Sequence, residues 1–451
     1  MKKIFSLSFI VLAAGCLFTS CNHEEDDIFD KSAAERLNEA SELYTQRLLA
    51  ADNGWIMQYY PQNSSSSYIG TGYLFGLQFK KDMSVTVSMN NWMSDNKYME
   101  DTSDWEVITD NGPVLSFNSF NDCLHAFSTP ETVVLPNGSY SETGLGTGMG
   151  GDYEFIVTDA PEDGSYVMLK GKKRATYNLL TQIPAGVTAE EYIADLKTFT
   201  STYFPSSNPT FDVLHKGDAR YKVEGSDSIC SIYPYDGDII TESTYNPFLI
   251  TKSGDDYVLR FRDAIEDGEV SVQTFKYDTA KDQFISTDNE AYYLEGNDPA
   301  TYFEYSLTEG NRAWNLKRTS EMSDKMKTLY ENARDGFSSM TYQSRKGTLN
   351  GIYLKKNKSG QYVLYVSYKF KNSSTGEYNF GYTQDGDKAT FSYQGCSDTD
   401  QSMYNTVAGL PELIGVFNGQ FTVSKNVTAF NLRTMKLTSV SDPDIWFIVS
   451  L

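Results

Sequence analysis

The 451-residue chain reads as an α+β protein that is mostly β: antiparallel meandering sheets or open barrels, each with a packed helix. Three observations predict this. Long amphipathic stripes with helical spacing fall near 32–52, 188–203 and 320–334. Between them run short segments rich in Val, Ile, Tyr and Phe, punctuated by Gly, Asn, Asp and Pro. Aromatic residues make up 14% of the chain, which suits half-buried pleated surfaces.

The first helix runs from about Ser32 to Asp52, with Asp30 or Ser32 as cap and Leu37, Ala40, Tyr44 and Leu48 on one face. Asn53-Gly54 stops it, and Trp55 opens the first strand. Tyr73 to Met89 alternates in part, with Lys80-Lys81-Asp82 as a hairpin tip. Tyr153–Val157 and Tyr166–Leu169 flank a turn at Pro161-Glu162-Asp163-Gly164. A second helix starts at Thr188, where Glu191 three residues on completes a capping box, and carries Tyr192, Leu196, Phe199 and Tyr203. Strands at Tyr257–Phe261 and Tyr362–Val366 follow the turns Ser253–Asp256 and Ser359-Gly360. The third helix spans Ser320 to about Arg334, with Met322, Met326, Leu329 and Ala333 inward and Gly336 as its stop. Ile445–Leu451 reads as a closing strand buried on both faces.

Each helix precedes roughly 100 residues of antiparallel strand, a recurring layout without residue-level identity between the units. The clearest boundary lies near Pro184. It separates an N-terminal β-rich domain, 30–185, from a C-terminal β-rich region, 186–451, with a further division near 318.

The N-terminus carries an address. Lys2 and Lys3 precede an apolar run, Ile4–Ala14, too short to remain in a bilayer as a spanning helix. Phe18-Thr19-Ser20-Cys21 then resembles the lipobox of bacterial lipoproteins, with Phe18 departing from the commoner leucine. Residues 1–20 are thus read as a signal peptide, Cys21 as the lipidated residue, and 21–29 as an acidic tether. Gly15-Cys16 is the alternative site. The expected location is the outer membrane, lipid-anchored and surface-exposed, or else facing the periplasm.

Removing residues 1–20 takes away two lysines and no acid, leaving 36 basic against 60 acidic residues and a balance of −24. So acidic a chain repels nucleic acid and anionic headgroups, so nucleic acid is not an expected partner and the lipid must hold it to a membrane. If Cys21 is lipidated, Cys123, Cys230 and Cys396 remain, with no C-x-x-C pair. They read as buried free thiols; one long-range disulfide with a leftover thiol is the alternative.

Chemical motifs are few. Gly146-Thr147-Gly148-Met149-Gly150-Gly151 matches G-x-G-x-x-G, but a strand rather than a helix follows, so it reads as a loop. Three histidines, His23, His125 and His215, lack the i, i+4 pairing of a zinc site, and no G-x-S-x-G elbow supports a Ser-His-Asp triad. His125 reads as a packed structural residue. Asp236-Gly237-Asp238 and Asp385-Gly386-Asp387 lack an EF-hand's ligand spacing and read as hairpin turns. No metal, cofactor or catalytic residue is assigned. The 32 tyrosines and five tryptophans suit core and cross-strand packing, whereas an exposed aromatic platform would point to sugar stacking.

Several linked segments carry a family resemblance: Asn53–Pro61, Val114–Asn121, His125–Ser128, Gly150–Phe155 and Met168–Lys173. In this order the chain resembles the uncharacterised DUF4302 family of Bacteroidetes lipoproteins. The resemblance implies no chemistry. It implies an envelope protein of the kind that accompanies outer-membrane nutrient-uptake systems. The expected function is a non-catalytic binding or accessory role toward a glycan, a peptide or an outer-membrane protein partner. The alternative is a hydrolase of polysaccharide or peptide substrates that uses two facing carboxylates.

Overall fold

The structure, a computed structural model, describes residues 31–61, 71–110, 112–128, 149–203, 212–226, 229–234 and 244–451. The signal segment, Cys16, Cys21, His23, the tether, Gly146–Gly148 and the Asp236–Asp238 loop lie outside the described residues.

The strands form three closed antiparallel barrels of eight. The first runs from β1 (Trp55–Tyr59) to β8 (Tyr177–Gln182) and closes where Trp55 pairs with Gln182. The second runs from β9 (Asp212–Lys216) to β16 (Tyr292–Glu295), closing at Leu214 and Leu294. The third uses β17 (Trp314–Leu316) and the strands from β20 (Thr348–Lys356) to β26 (Trp446–Ser450), closing at Asn315 and Ser450. Full closure, where the sequence left open barrels possible, removes every free edge of these sheets. Large side chains fill the interiors: Tyr59, Phe75, Phe127 and Phe155 in the first, Phe275 and Phe284 in the second, Phe421 and Phe447 in the third.

Helix α1 (Ala33–Leu49) lies across β4 (Met99–Thr109) and β5 (Pro113–Phe117). Ser32 and Glu35 cap its start reciprocally, with Ser32 N donating to Glu35 Oε2 at 2.9 Å and Glu35 N to Ser32 Oγ at 3.2 Å. Leu48 is fully buried while Leu37, Ala40 and Tyr44 are half-buried. The helix ends sooner than expected, at Leu49. Gly54 (φ +82°) then turns the chain into β1, where a Cβ would sit 2.5 Å from the Leu77 carbonyl oxygen.

Helix α2 (Ala189–Tyr203) has the expected Thr188–Glu191 capping box and buries Tyr192, Ile193, Leu196 and Phe199. It packs on β2 (Tyr73–Phe79) and β3 (Ser84–Met89) of the first barrel and on β12 (Thr244–Ser253) of the second. Three helices escaped the sequence reading: α3 (Pro299–Thr308), α5 (Asp398–Thr406) and α6 (Leu410–Val416). They span seven to ten residues, and α5 buries none, although α3 buries Ala300, Tyr302, Phe303, Ser306 and Leu307 at helical spacing.

Helix α4 (Asp324–Ser339) corrects the third stripe. Its inward residues are Met326, Tyr330, Ala333 and Phe337, whereas Leu329 is half-buried. Gly336 does not stop it. A Cβ there would lie 2.0 Å from the Ala408 carbonyl oxygen, so the glycine admits a neighbouring backbone. The Asp385-Gly386-Asp387 segment is a hairpin turn with Gly386 at φ +55° and Asp385 paired with Lys388. Cys123 and Cys230 are buried free thiols, and Cys396 is a half-buried one.

Candidate functional site

The site grows from the connection between β5 and β6 (Glu154–Asp159). Asn121, fully buried, folds this connection on itself. Its Oδ1 accepts from the N–H groups of Cys123 (3.0 Å) and Leu124 (3.1 Å), and its Nδ2 donates to Ser103 Oγ at 3.2 Å. The Asn121 N–H donates in turn to His125 Nδ1 at 3.1 Å, which fixes the imidazole and leaves Nε2 to carry the proton of the neutral ring. Burial lowers the His125 pKa.

Held this way, the His125 ring lies between Phe120, at a centroid distance of 5.2 Å, and Tyr153, at 4.9 Å and 27°. Phe120 is 62% exposed and Tyr153 45%. The three rings therefore form an aromatic tier whose Phe120 and Tyr153 face solvent, unlike the buried aromatics of the barrel interiors. His125 is a packed residue as expected, but it is packed into a surface.

Beside the tier lies a cavity of about 210 Å³ lined by Ser128, Gly151 to Glu154 and Lys172 to Arg174, so that Tyr153 belongs to both. Asp152, buried, accepts from the N–H groups of Lys173 (3.2 Å) and Arg174 (2.9 Å) and thereby ties the turn after β7 (Tyr166–Gly171). A Cβ on Gly171 would strike Asp152 Oδ2 at 2.1 Å, so only glycine admits this carboxylate. Burial raises the Asp152 pKa, while those backbone bonds and the Arg174 and Lys173 charges oppose it. Lys172 bridges Asp110 (2.7 Å) and Glu154 (3.1 Å). Arg174 Nε is buried without a hydrogen-bond partner among the described residues.

The G-x-G-x-x-G segment ends in this cavity, with β6 after it. Gly151 is there for close approach: a Cβ would lie 2.3 Å from Tyr59 Oη. His215 sits elsewhere, on the closing seam of the second barrel, stacked on Tyr293 at 4.2 Å with Nε2 2.7 Å from Glu295 Oε1. Among the described residues, no three His, Cys, Asp or Glu side chains converge as a metal site would require. None of the described helices is long and apolar enough to cross a membrane. Phe120, Tyr153, Asp152 and Arg174 were not singled out from sequence. The one local signal was Phe120 alone among Asn118, Ser119 and Asn121.

No curated protein matches the chain. Among solved structures it is similar to a DNA polymerase sliding clamp from Pseudomonas aeruginosa, at 10% identity over 91% of this chain and 97% of that chain, with a TM-score of 0.15. It is also similar to the DNA polymerase III beta chain from Streptococcus pneumoniae, at 11% identity over 91% and 97%, again with a TM-score of 0.15. Superposition that poor carries no argument about fold or function. A family profile, the domain of unknown function DUF4302, matches residues 25–279, which covers the whole first barrel, with its tier and cavity, and the second as far as β14 (Val270–Asp278). That match spans more than half of the sequence, and the chain belongs to the DUF4302 family.

Proposed function

We propose that the chain is an envelope lipoprotein, anchored through Cys21, whose first barrel binds a glycan on the Phe120–His125–Tyr153 tier without catalysing a reaction. The observation that carries this reading is the exposure of Phe120 and Tyr153 on either side of an ordered imidazole. Stacked, solvent-facing rings lose apolar contact with water when a sugar ring covers them. The adjoining cavity supplies hydroxyl, ammonium and guanidinium groups for the sugar's hydroxyls.

One observation favours the hydrolase alternative: Asp152, with its raised pKa, shares the cavity with Glu154. Against it, both Asp152 oxygens already serve the turn at 173–174, and Glu154 is held by Lys172. The test is titration calorimetry of the protein with a panel of soluble neutral and acidic polysaccharides. At least one should bind, and Phe120→Ala with Tyr153→Ala should abolish that binding while the melting temperature holds. Release of reducing ends that Asp152→Asn stops would overturn the non-catalytic reading. Fatty-acid labelling that is lost in Cys21→Ser and kept in Cys16→Ser checks the anchor.

A further inference from the structure

The net charge of −22 conceals a local reversal in the third barrel. From Asp335 to Glu377 the chain contains no acidic residue between those two, yet it carries seven basic ones. Lys355, Lys356 and Lys358 lie toward the far end of the hairpin that β20 makes with β21 (Tyr362–Lys369), where Lys355 covers Tyr365 and Lys356 covers Tyr362. The other four, Arg345, Lys346, Lys369 and Lys371, gather at the near end and are all exposed. None of these four makes an ion pair among the described residues.

Two hairpins bring them together. β18 (Thr341–Tyr342) and β19 (Arg345–Lys346) are joined by Gln343 and Ser344, both left-handed at φ +47° and +61°. Two non-glycine residues in that region make a strained primed turn. Gly347 follows, where a Cβ would be 2.9 Å from Phe370 Cε1, so Phe370 closes down on this turn. The Phe370 ring meets Tyr342 at 6.2 Å, and Tyr342 is 59% exposed. Lys369 and Lys371 flank Phe370 in sequence, and Arg345 and Lys346 follow Tyr342 across its turn.

From this juxtaposition we infer that the Tyr342–Phe370 tip is a docking surface for an anionic phospholipid bilayer. The chemistry fits. Lysine and arginine reach phosphate headgroups, while tyrosine and phenylalanine settle among the carbonyl and upper acyl atoms. The acidic remainder of the chain does not prevent this at physiological salt. The Debye length is then about 8 Å, so only charges near the tip bear on a headgroup. Each cation near such a surface raises partitioning about fivefold, so four form a useful contact and a pair is worth about 25-fold.

The test is sedimentation of residues 22–451, the chain without its leader and Cys21, with phosphatidylglycerol–phosphatidylcholine vesicles and with phosphatidylcholine alone. Anionic vesicles should bind the protein at physiological salt and release it in 1 M salt; neutral ones should not bind it. Arg345→Ala with Lys346→Ala should weaken binding about 25-fold. Lys369→Ala with Lys371→Ala, on the other hairpin, should do the same and guards against a local folding failure. Lys355→Ala with Lys358→Ala should change little. Equal binding to neutral vesicles, undiminished binding by both pairs, or retention on heparin without any vesicle binding would overturn the proposal.

Discussion

Where the first barrel meets the second, a helix and apolar side chains make the contact; where the second meets the third, the contact is organised around one carboxylate. In the first seam, α2 shares a buried cluster with Ile56 and Ile183 from the first barrel and with Phe248 and Ile250 from the second. Two glycines let the surfaces close. A Cβ on Gly76 would lie 2.8 Å from that of Ala189, and one on Gly72 would lie 2.7 Å from Leu249 Cγ. Polar bonds sit around this seam, as with Lys252 and Asp195 at 2.8 Å.

In the second seam Asp282, on a left-handed turn (φ +56°), accepts from Tyr277 Oη (2.6 Å), Thr428 Oγ1 (2.8 Å) and the Ala429 N–H (2.8 Å), and pairs with Lys425. That ordered loop presents Phe430, which enters the core of the second barrel against Phe284 at 5.5 Å. The second barrel is thus completed from both sides, by an apolar wedge and by a plug that a carboxylate aims. The lesson is one of sensitivity: area and shape govern the first seam, whereas protonation reaches the second.

The largest effect expected is at the plug. Phe430→Ala removes a fully buried ring and should cost about 3–5 kcal/mol in denaturant unfolding. A loss below about 1 kcal/mol would mean that the loop rests on the barrel rather than completing it.

Asp282→Asn comes next, at about 2–3 kcal/mol, because three donors lose a charged acceptor and the half-exposed Lys425 loses its partner. Burial alone would raise the Asp282 pKa, but the bonds from Lys425, Tyr277, Ala429 and Thr428 outweigh it and hold the carboxyl below its ordinary 3.8. A depressed folded value stabilises the protein above the ordinary aspartate pKa, and that contribution is lost as pH falls below 3.8 through the folded value. Melting curves from pH 6 to pH 2 should therefore show an acid-linked loss in the wild type that is smaller in Asp282→Asn. Parallel curves would remove the contrast between the seams.

The apolar seam is probed by length. A fragment of residues 30–185 should melt cooperatively as one barrel, and extension to residue 203 should add about 2 kcal/mol as α2 covers Ile56 and Ile183. An unfolded 30–185 fragment would show that the first barrel depends on its neighbour. The smallest effect belongs to Thr188→Ala, which breaks the α2 capping box and should cost about 1 kcal/mol in the full chain.

Legibility follows the same division. Each element read correctly from sequence rests on neighbours within a few residues: the Thr188–Glu191 box, the Lys80–Asp82 hairpin tip, the stripe from Tyr192 to Phe199. Gly336 was misread because a glycine after a stripe has the same local appearance whether it ends a helix or admits Ala408. Asp282 had no clear local mark, since an aspartate in a turn beside Lys281 is ordinary until a loop nearly 150 residues away adds the Thr428 and Ala429 donors to that of Tyr277.

The sequence by itself determined the β-rich class, the places of the three long helices, the principal hairpins and the family, all of which depend on periodicity, caps and short ordered segments. The tertiary structure alone decided that the sheets close into barrels, that Phe120 and Tyr153 stay outside while comparable rings go inside, and that four cations meet at the Tyr342–Phe370 tip. The physical reason is range. Backbone preference and amphipathic period act over a turn or a strand, whereas closure, exposure and charge clustering depend on which distant segments meet and what water they exclude.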